Sequence, residues 1–353
     1  MRNGKIGIGI IGAGNIAQSA HMPSYAKQYD CEIVSVFDSN YGRGADAAAR
    51  FGAGHTAGSA GELLDNPEVD AVSVCTLNYA HAEMCIAALK AGKHVLCEKP
   101  MAMTVAEAEA IKAAADAAPG QVFMMGFVSR FNNQVTVLKA LADAGKFGDL
   151  YYARASTLRR RGTPLGWFTD SAKSGGGPVI DIGVHVLDLT WYLLGRPKPV
   201  SVSATVHYHI GDYQTKGVGR WKAFDTGDLV FNVEDSAAGM IRFENGCSLN
   251  FDVSWAINGA ETEGHSVWLY GAKAGCSLTP FKVYGEEAGY LTDNTPTIAQ
   301  NDFMDGFTLE IRHFLDCILG KCEPLSPVGD GLAVQRMLNG IYDSGKLGRE
   351  VLL

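Results

Sequence analysis

One short stretch near the start of the chain, KIGIGIIGAGNIAQSAHM, restricts the fold more than any other. Its apolar, β-branched run from Ile6 to Ile11 reads as a buried strand that stops at Gly12. The chain continues as Gly12-Ala13-Gly14-Asn15-Ile16-Ala17, a G-x-G-x-x-A sequence, and enters a helical segment that Pro23 is expected to cut near His21. Gly12 permits a tight turn, Gly14 lets a pyrophosphate approach the backbone, and Ala17 lets helix and strand pack closely. The N–H groups of the first helical turn, at Asn15 and Ile16, have no partner within the helix and form an anion-binding end. The next apolar run, CEIVSVFD, ends at Asp38, about 20 residues beyond the glycines. A carboxylate there accepts from a ribose 2′-hydroxyl and repels a 2′-phosphate, which points to NAD. NADP stays open, because Arg43 lies close to Asp38 in sequence.

Strand and helix signals go on alternating through the first third of the chain. Helical patterns over about 42–51 and in GELLDN lead to a strand, DAVSVCTL. HAEMCIAALKAG is a helix with a stop at Gly92, and HVLCEKP is a strand running into Pro100. TVAEAEAIKAAADAA follows, with Thr104 and Glu107 spaced as a capping box, then the strand VFMMGF. This order implies an α/β Rossmann domain over residues 1–126, a doubly wound parallel sheet covered on both faces.

The pattern then changes. Residues 127–353 are expected to form an α+β domain with a large open, mostly antiparallel sheet. DLYYARASTLRR and the alternating PVSVSATVHYH read as strands, and Asn245-Gly246 joins two more in a hairpin. HSVWLYGAKAGCSL reads as a second hairpin, residues 209–228 as a long polar loop, and about 302–319 and 329–344 as helices. An open sheet with an apolar face needs covering, so self-association as a homodimer or homotetramer is expected.

Between these elements lies SGGGPVIDIGVHVLD. On a helix, Asp181 and His185 stand one turn apart on one face with Asp188 three residues on, beside a core stripe of Val184, Leu187, Trp191 and Leu194. The three polar residues fit an acid–base pair, a metal site or polar trim. No further ligand cluster appears nearby in sequence, so no metal is expected. Asp188 is left between support of His185 and a local cap.

Taken in order, IGAGNIA, FD, CEKP and GGGPVIDIGVHVLD resemble the Gfo/Idh/MocA family of oxidoreductases, the glucose–fructose oxidoreductase and inositol dehydrogenase family, over essentially the whole chain. LRRRGTPLGWFTD and VEDS further resemble its bacterial glucoside 3-dehydrogenase-like branch. The resemblance implies a Rossmann domain, an open-sheet second domain and an active site between them, with NAD or NADP oxidising a sugar, glycoside or cyclitol hydroxyl, in glycosides at C3. It also implies a catalytic set of Lys99, Asp181 and His185. In chemical terms His185 serves as the base, Asp181 orients it, and the Lys99 ammonium polarises the reacting oxygen. Cofactor contacts are implied at Gly12, Gly14, Asn15, Ile16, Asp38, Thr76, Asn78, His81, Glu98 and Lys99, and substrate contacts at Lys99, Arg160, Trp167, Asp181 and His185. Thr76-Leu77-Asn78 stands where the family often has Thr-Pro-Asn, and Trp167-Phe168 where many relatives have Trp-Arg. A cationic contact is then either lost or supplied by Arg159, Arg160 or Arg161, and those arginines fit a solvated surface equally well. Two other readings stand beside the dehydrogenase: a glycosidase using NAD for transient oxidation at C3, and a non-catalytic sugar or NAD sensor.

The totals agree. Across 353 residues, 47% are apolar and 19% charged, an ordinary globular composition with room for two cores. A net charge of −8 argues against nucleic acid as a partner. Cys31, Cys75 and Cys97, three of the eight cysteines, sit in apolar runs and are expected as reduced core thiols. No apolar stretch is long enough for a membrane span and no leader is apparent, so a cytoplasmic enzyme of small-molecule metabolism is expected.

Overall fold

The computed structural model describes residues 4–223, 230–262, 264–299 and 302–353. These form two compact units, Met1–Val128 with Asp302–Gln335, and Ser129–Asn301 with Arg336–Leu353. The expected division at 126/127 is therefore incomplete, because a late segment returns to the first unit. The reason is the helix Phe303–Ile318, whose Ile311, Phe314 and Leu315 are fully buried in one core with Ile6, Ile8, Tyr25 and Leu96. Among the described residues no helix is long and apolar enough to cross a membrane.

In the first unit β1 (Ile6–Ile11), β2 (Cys31–Phe37), β3 (His55–Ala57), β4 (Ala71–Val74), β5 (His94–Glu98) and β6 (Phe123–Gly126) form one sheet in the order β3-β2-β1-β4-β5-β6. Every pairing is parallel. The strand order reverses between β1 and β4, so the carboxyl ends of these two strands open the crevice where doubly wound sheets bind ligands. All six residues of β1 are buried, as expected for a strand with helices on both faces. The helix after β1 is not cut at Pro23. It runs on through Ala26, and its turn Ala17–His21 is of the wider π type, with the Met22 N–H donating to Ala17 O. Proline has no N–H for the carbonyl four residues back and crowds it, and a wide turn just before Pro23 accommodates both defects.

In the second unit β7 (Leu150–Leu158), β8 (Pro199–His207), β9 (Ser236–Phe243), β10 (Ser248–Ser254), β11 (Ser266–Gly271), β12 (Gly275–Ser277), β13 (Lys282–Glu287), β14 (Tyr290–Asn294) and β15 (Val351–Leu352) form a nine-stranded sheet. Among the described strands of this sheet only β7 and β10 pair in parallel. The Asn245-Gly246 hairpin joins β9 to β10, with Gly246 at a φ of +84° that a side chain would resist. The second expected hairpin is β11–β12. One face of the sheet is apolar: Ala153, Ala155, Leu249, Phe251, Val253, Val267 and Leu269 are buried. The opposite face carries cross-strand pairs of Tyr152 with Tyr270, stacked at 5.0 Å, and of Arg154 with Trp268.

The helix Val184–Leu193 lies over the apolar face, and the expected stripe of Val184, Leu187, Trp191 and Leu194 is buried. Asp188 is buried too, and it is held by an arginine. Arg130 grips it with two hydrogen bonds, Nε to Oδ2 at 3.1 Å and Nη2 to Oδ1 at 2.5 Å, while the guanidinium lies over the Tyr192 ring. A buried charge that loses its partner is left uncompensated. Asp188→Ala should therefore lower the unfolding free energy by about 3–5 kcal/mol. The apolar double variant Arg130→Met/Asp188→Leu should recover most of it in the same denaturant titration; a double variant no better than Asp188→Ala would show that charge pairing is not what the site depends on.

Candidate active site

In the first unit the glycine turn is tied down on all sides. Gly12 takes a φ of +92°, its N–H donates to Phe37 O at 2.8 Å, and a Cβ there would lie 2.7 Å from Cys75 O. Gly12 is thus required both by backbone conformation and by the approach of β4. A Cβ on Gly14 would meet nothing within 4 Å, so the space beside it is open. Asn15 and Ile16, half-buried, form the first helical turn beside that space. Asp38, buried at the end of β2, accepts from the Ala13 N–H at 2.8 Å and so fixes the glycine turn itself. Its two oxygens also hold Arg43, from Nε at 3.0 Å and Nη2 at 2.8 Å. The residue that kept NADP open is thus paired with Asp38.

At the end of β4 the hydroxyl of Thr76 is buried with no hydrogen-bond partner among the described residues. A buried hydroxyl left unpaired is costly, and a ligand that bonds it removes that cost. With the open space at Gly14 and the free helix end, this orphan oxygen is what a dinucleotide site requires, and the residues fit NAD. Asn78, also buried, begins a short helical turn two residues on. His81 lies beneath these residues. Its Nδ1 is 2.7 Å from Pro100 O and its Nε2 is 3.2 Å from Thr76 O. Carbonyls only accept, so the ring binds both best as a two-donor imidazolium. Burial opposes that charge, but Cys97 and the two carbonyls outweigh it and raise the His81 pKa. His81 thereby joins the Thr76 strand end to the segment holding Lys99, and both of its nitrogens are taken up in doing so.

Lys99 follows β5, with a cis bond to Pro100, and is half-buried. Glu98 beside it is buried; its Oε2 accepts from the Lys99 N–H at 3.1 Å and its Oε1 lies 2.8 Å from His21 Nε2. His21 is wholly buried and reaches Ser73 through Nδ1 at 3.2 Å; Ser73 in turn meets the Tyr25 hydroxyl at 2.8 Å. Burial works against a charge on His21, but Cys75 and Glu98 outweigh it and raise its pKa to about 10. Burial likewise opposes ionisation of Glu98, and the bonds from His21 and Lys99 overcome it and lower its pKa. Sequence reading missed His21. The available signal was a histidine on a segment heading into a core that also receives the glutamate of CEKP.

In the second unit the run Gly175-Gly176-Gly177 leads into a π turn, Val179–Gly183, and then the helix Val184–Leu193. The glycines are demanded by close packing. A Cβ on Gly176 would fall 2.0 Å from the Tyr342 hydroxyl, and one on Gly177 would fall 2.3 Å from Glu234 O. Glu234 is the anchor here. It is buried, and its carboxylate accepts from the Gly177 N–H at 2.9 Å, the Val179 N–H at 3.1 Å and the Tyr342 hydroxyl at 2.8 Å. Burial raises its pKa, against the pull of those donors. Asp181 lies in the π turn, one element before the regular helix that carries His185; such turns recur at functional sites. Asp181 Oδ2 accepts from Trp255 Nε1 at 3.0 Å, and Trp255 is fully buried. The His185 ring lies 5.4 Å from that of His265, whose Nδ1 is 2.9 Å from the Thr157 hydroxyl. His265 was not foreseen.

The other expected contacts are placed less centrally. Trp167 stacks on Phe168 at 4.0 Å, and Phe168 meets Trp221 edge-on. Arg160 is exposed. Arg161 is occupied, with hydrogen bonds to Thr215, Ile257 O and Asn258. The loop expected over 209–228 is held by Asp235, which accepts from the N–H groups of His209, Ile210 and Gly211, and by Tyr213 between Arg161 and Arg220. Residues 224–228 of that loop lie outside the described residues.

Comparison with known proteins agrees with this geometry. Residues 6–127 match the oxidoreductase family with an NAD-binding Rossmann fold, and residues 135–277 match the GFO/IDH/MocA C-terminal domain. The chain is 34% identical to the D-glucoside 3-dehydrogenase of Escherichia coli (strain K12), over 100% of this chain and 99% of that one. It is 30% identical to the levoglucosan dehydrogenase of Pseudarthrobacter phenanthrenivorans, over 76% of this chain and 73% of that protein. Among solved structures, an oxidoreductase domain protein from Kribbella flavida superposes with a TM-score of 0.85 at 26% identity, covering 99% of both chains.

The His21–Glu98 pair gives a signed pH dependence. With the folded pKa of His21 raised, its contribution is complete below the ordinary value of 6.5 and is lost as pH climbs toward about 10. With that of Glu98 lowered, its contribution is present above the ordinary 4.5 and is lost as pH falls. A double-mutant cycle with His21→Gln and Glu98→Gln should therefore show its largest coupling between pH 4.5 and 6.5, shrinking toward pH 10. Coupling that grows as the solution becomes alkaline would contradict this arrangement.

Proposed function

The chain belongs to the GFO/IDH/MocA family of NAD-binding oxidoreductases. From that premise we propose that it oxidises a secondary hydroxyl of a sugar or glycoside, at C3 of a hexose unit, with Lys99, Asp181 and His185 as its catalytic residues. The observation that carries the substrate class is the full-length identity to a D-glucoside 3-dehydrogenase. The dehydrogenase relatives of sugars and cyclitols place the wider reading in the same chemistry. Bound NAD would supply the hydride acceptor for the carbinol carbon. What the chain itself supplies is positioning, charge and a proton acceptor. Gly12, Gly14, Asn15 and Ile16 receive the pyrophosphate, Asp38 the adenine ribose, and Thr76 and Asn78 the nicotinamide end. Lys99, held from behind by Glu98, polarises the substrate oxygen and lowers the cost of the developing alkoxide. His185 takes the hydroxyl proton, within a ring environment set by Asp181 and His265. Trp167 and Arg160 are the proposed sugar contacts.

Two measurements test this. A panel of methyl glucosides, free hexoses and inositols should give net NADH with at least one glucoside. Lys99→Ala and His185→Ala should each reduce kcat by about a hundredfold to ten-thousandfold while NAD still binds. Glycoside cleavage without net NADH would favour the glycosidase that borrows NAD, and unchanged turnover would remove the altered residue from the mechanism. For the cofactor, Asp38→Ala removes the ribose acceptor and also releases Arg43 toward a 2′-phosphate. The NAD-to-NADP affinity ratio should fall by about tenfold or more. Equal losses for both cofactors in a fluorescence titration would show that Asp38 serves the glycine turn alone.

A further inference from the structure

At the end of the helix Phe303–Ile318 two thiols and an imidazole converge, none of them given a role above. Cys317 Sγ lies 3.6 Å from Cys322 Sγ, and Cys322 Sγ lies 3.7 Å from His313 Nδ1. His313 and Cys317 are four residues apart and share a helix face. Beyond Leu319, Gly320 takes a φ of +70°, the Lys321 N–H returns to Asp316 O, and the turn brings Cys322 back over that face. Cys317 is buried and Cys322 exposed.

One imidazole and two thiols within 4.8 Å of one another are a donor set that suits a soft metal ion. The imidazole argues against that occupant. Its Nε2 accepts from the Leu325 N–H at 2.9 Å. A backbone N–H only donates, so Nε2 keeps its lone pair and the proton of the neutral ring sits on Nδ1. Nδ1 then has no lone pair for a metal; it lies 3.7 Å from the Cys322 sulfur, and the ring also bonds the Glu323 backbone. Two thiols in reach of each other remain, 3.6 Å apart, one buried and one exposed.

We propose that Cys317 and Cys322 are a reversible dithiol–disulfide site, oxidised by hydroperoxides through attack by Cys322. The Cys322 thiolate attacks the terminal peroxide oxygen; the O–O bond breaks, and an alcohol or water leaves with a proton from solvent. The Cys322 sulfenic acid so formed is attacked by the Cys317 sulfur; the S–O bond breaks, a second water leaves, and the S–S bond forms. Two thiols lose two protons and two electrons, and the peroxide gains them. A small dithiol reverses the bond by exchange. The order follows from access, since Cys322 faces solvent. Burial pushes the Cys317 thiol up, with Cys322 adding to the effect, which fits it as the resolving partner. The sulfurs need to close only from 3.6 Å to the S–S length of about 2.05 Å.

The test uses the full chain, reduced and then treated with limiting hydrogen peroxide, denatured in N-ethylmaleimide and read by intact mass and peptide mapping. The expected result is a loss of two hydrogens and of two of the eight possible adducts, with Cys317 and Cys322 in one linked peptide, restored by dithiothreitol. Cys317→Ser should leave a sulfenic acid on Cys322 that dimedone traps, and Cys322→Ser should leave Cys317 unoxidised. Full alkylation of all eight cysteines after peroxide would overturn the proposal. So would stoichiometric zinc in the purified protein that disappears in either cysteine variant. Neither outcome depends on the dehydrogenase reading, because no turnover is measured.

Discussion

A carboxylate taken out of water must be met by donors, and in each unit one such carboxylate sets the position of a functional segment. Glu98 is met by His21 and by the Lys99 N–H, which fixes the backbone at the lysine. Glu234 is met by the N–H groups of Gly177 and Val179 and by the Tyr342 hydroxyl, which fixes the entry to the Asp181–His185 segment. Both carboxylates are buried. Their desolvation is tolerated only because the surrounding backbone is held where it is, so loss of a donor leaves a buried charge or an unpaired oxygen. The glycine run is the steric counterpart of the same constraint: Gly176 and Gly177 must lack side chains for Tyr342 and Glu234 to approach.

The same logic extends below the cofactor fingerprint. Asp38 holds the Ala13 N–H and Arg43 together, so the residue proposed to bind the ribose also shapes the glycine turn. His81 spans two carbonyls from segments that both end at the carboxyl edge of the sheet. The hydroxyl of Thr76 is buried in this cluster without a partner among the described residues. Rigid supports surrounding a single unsatisfied oxygen are the arrangement of a preformed ligand site.

Much of this was legible in the sequence. Order and spacing carry local information, so the strand–glycine–helix entry, the parallel alternation, the Asn245-Gly246 hairpin and the core stripe of the Val184–Leu193 helix could be read from periodicity and turn chemistry. Long-range pairing could not. Arg130 and Asp188 are 58 residues apart, and His21 and Glu98 are 77 apart, so no local pattern announces either pair. The two π turns escaped for another reason. Pro23 reads as a helix break and Asp181 to His185 as a regular helix, and neither pattern signals that one turn in each segment is of the wider π type. The return of Asp302–Gln335 to the first unit was invisible because an amphipathic helix shows that it has a buried face but not which core receives it.

The two halves of the proposed chemistry, a polarising lysine and an imidazole base, have meaning only if a hydride leaves a sugar carbon for the nicotinamide. The most direct measurement is isotopic. Methyl glucoside deuterated at C3 is turned over with NAD, and the recovered cofactor is examined by mass spectrometry. Reduced cofactor carrying one deuterium, formed more slowly than from the protiated sugar, is the expected result. Reduced cofactor without deuterium, or a cleaved glycoside with all cofactor returned as NAD, would contradict it.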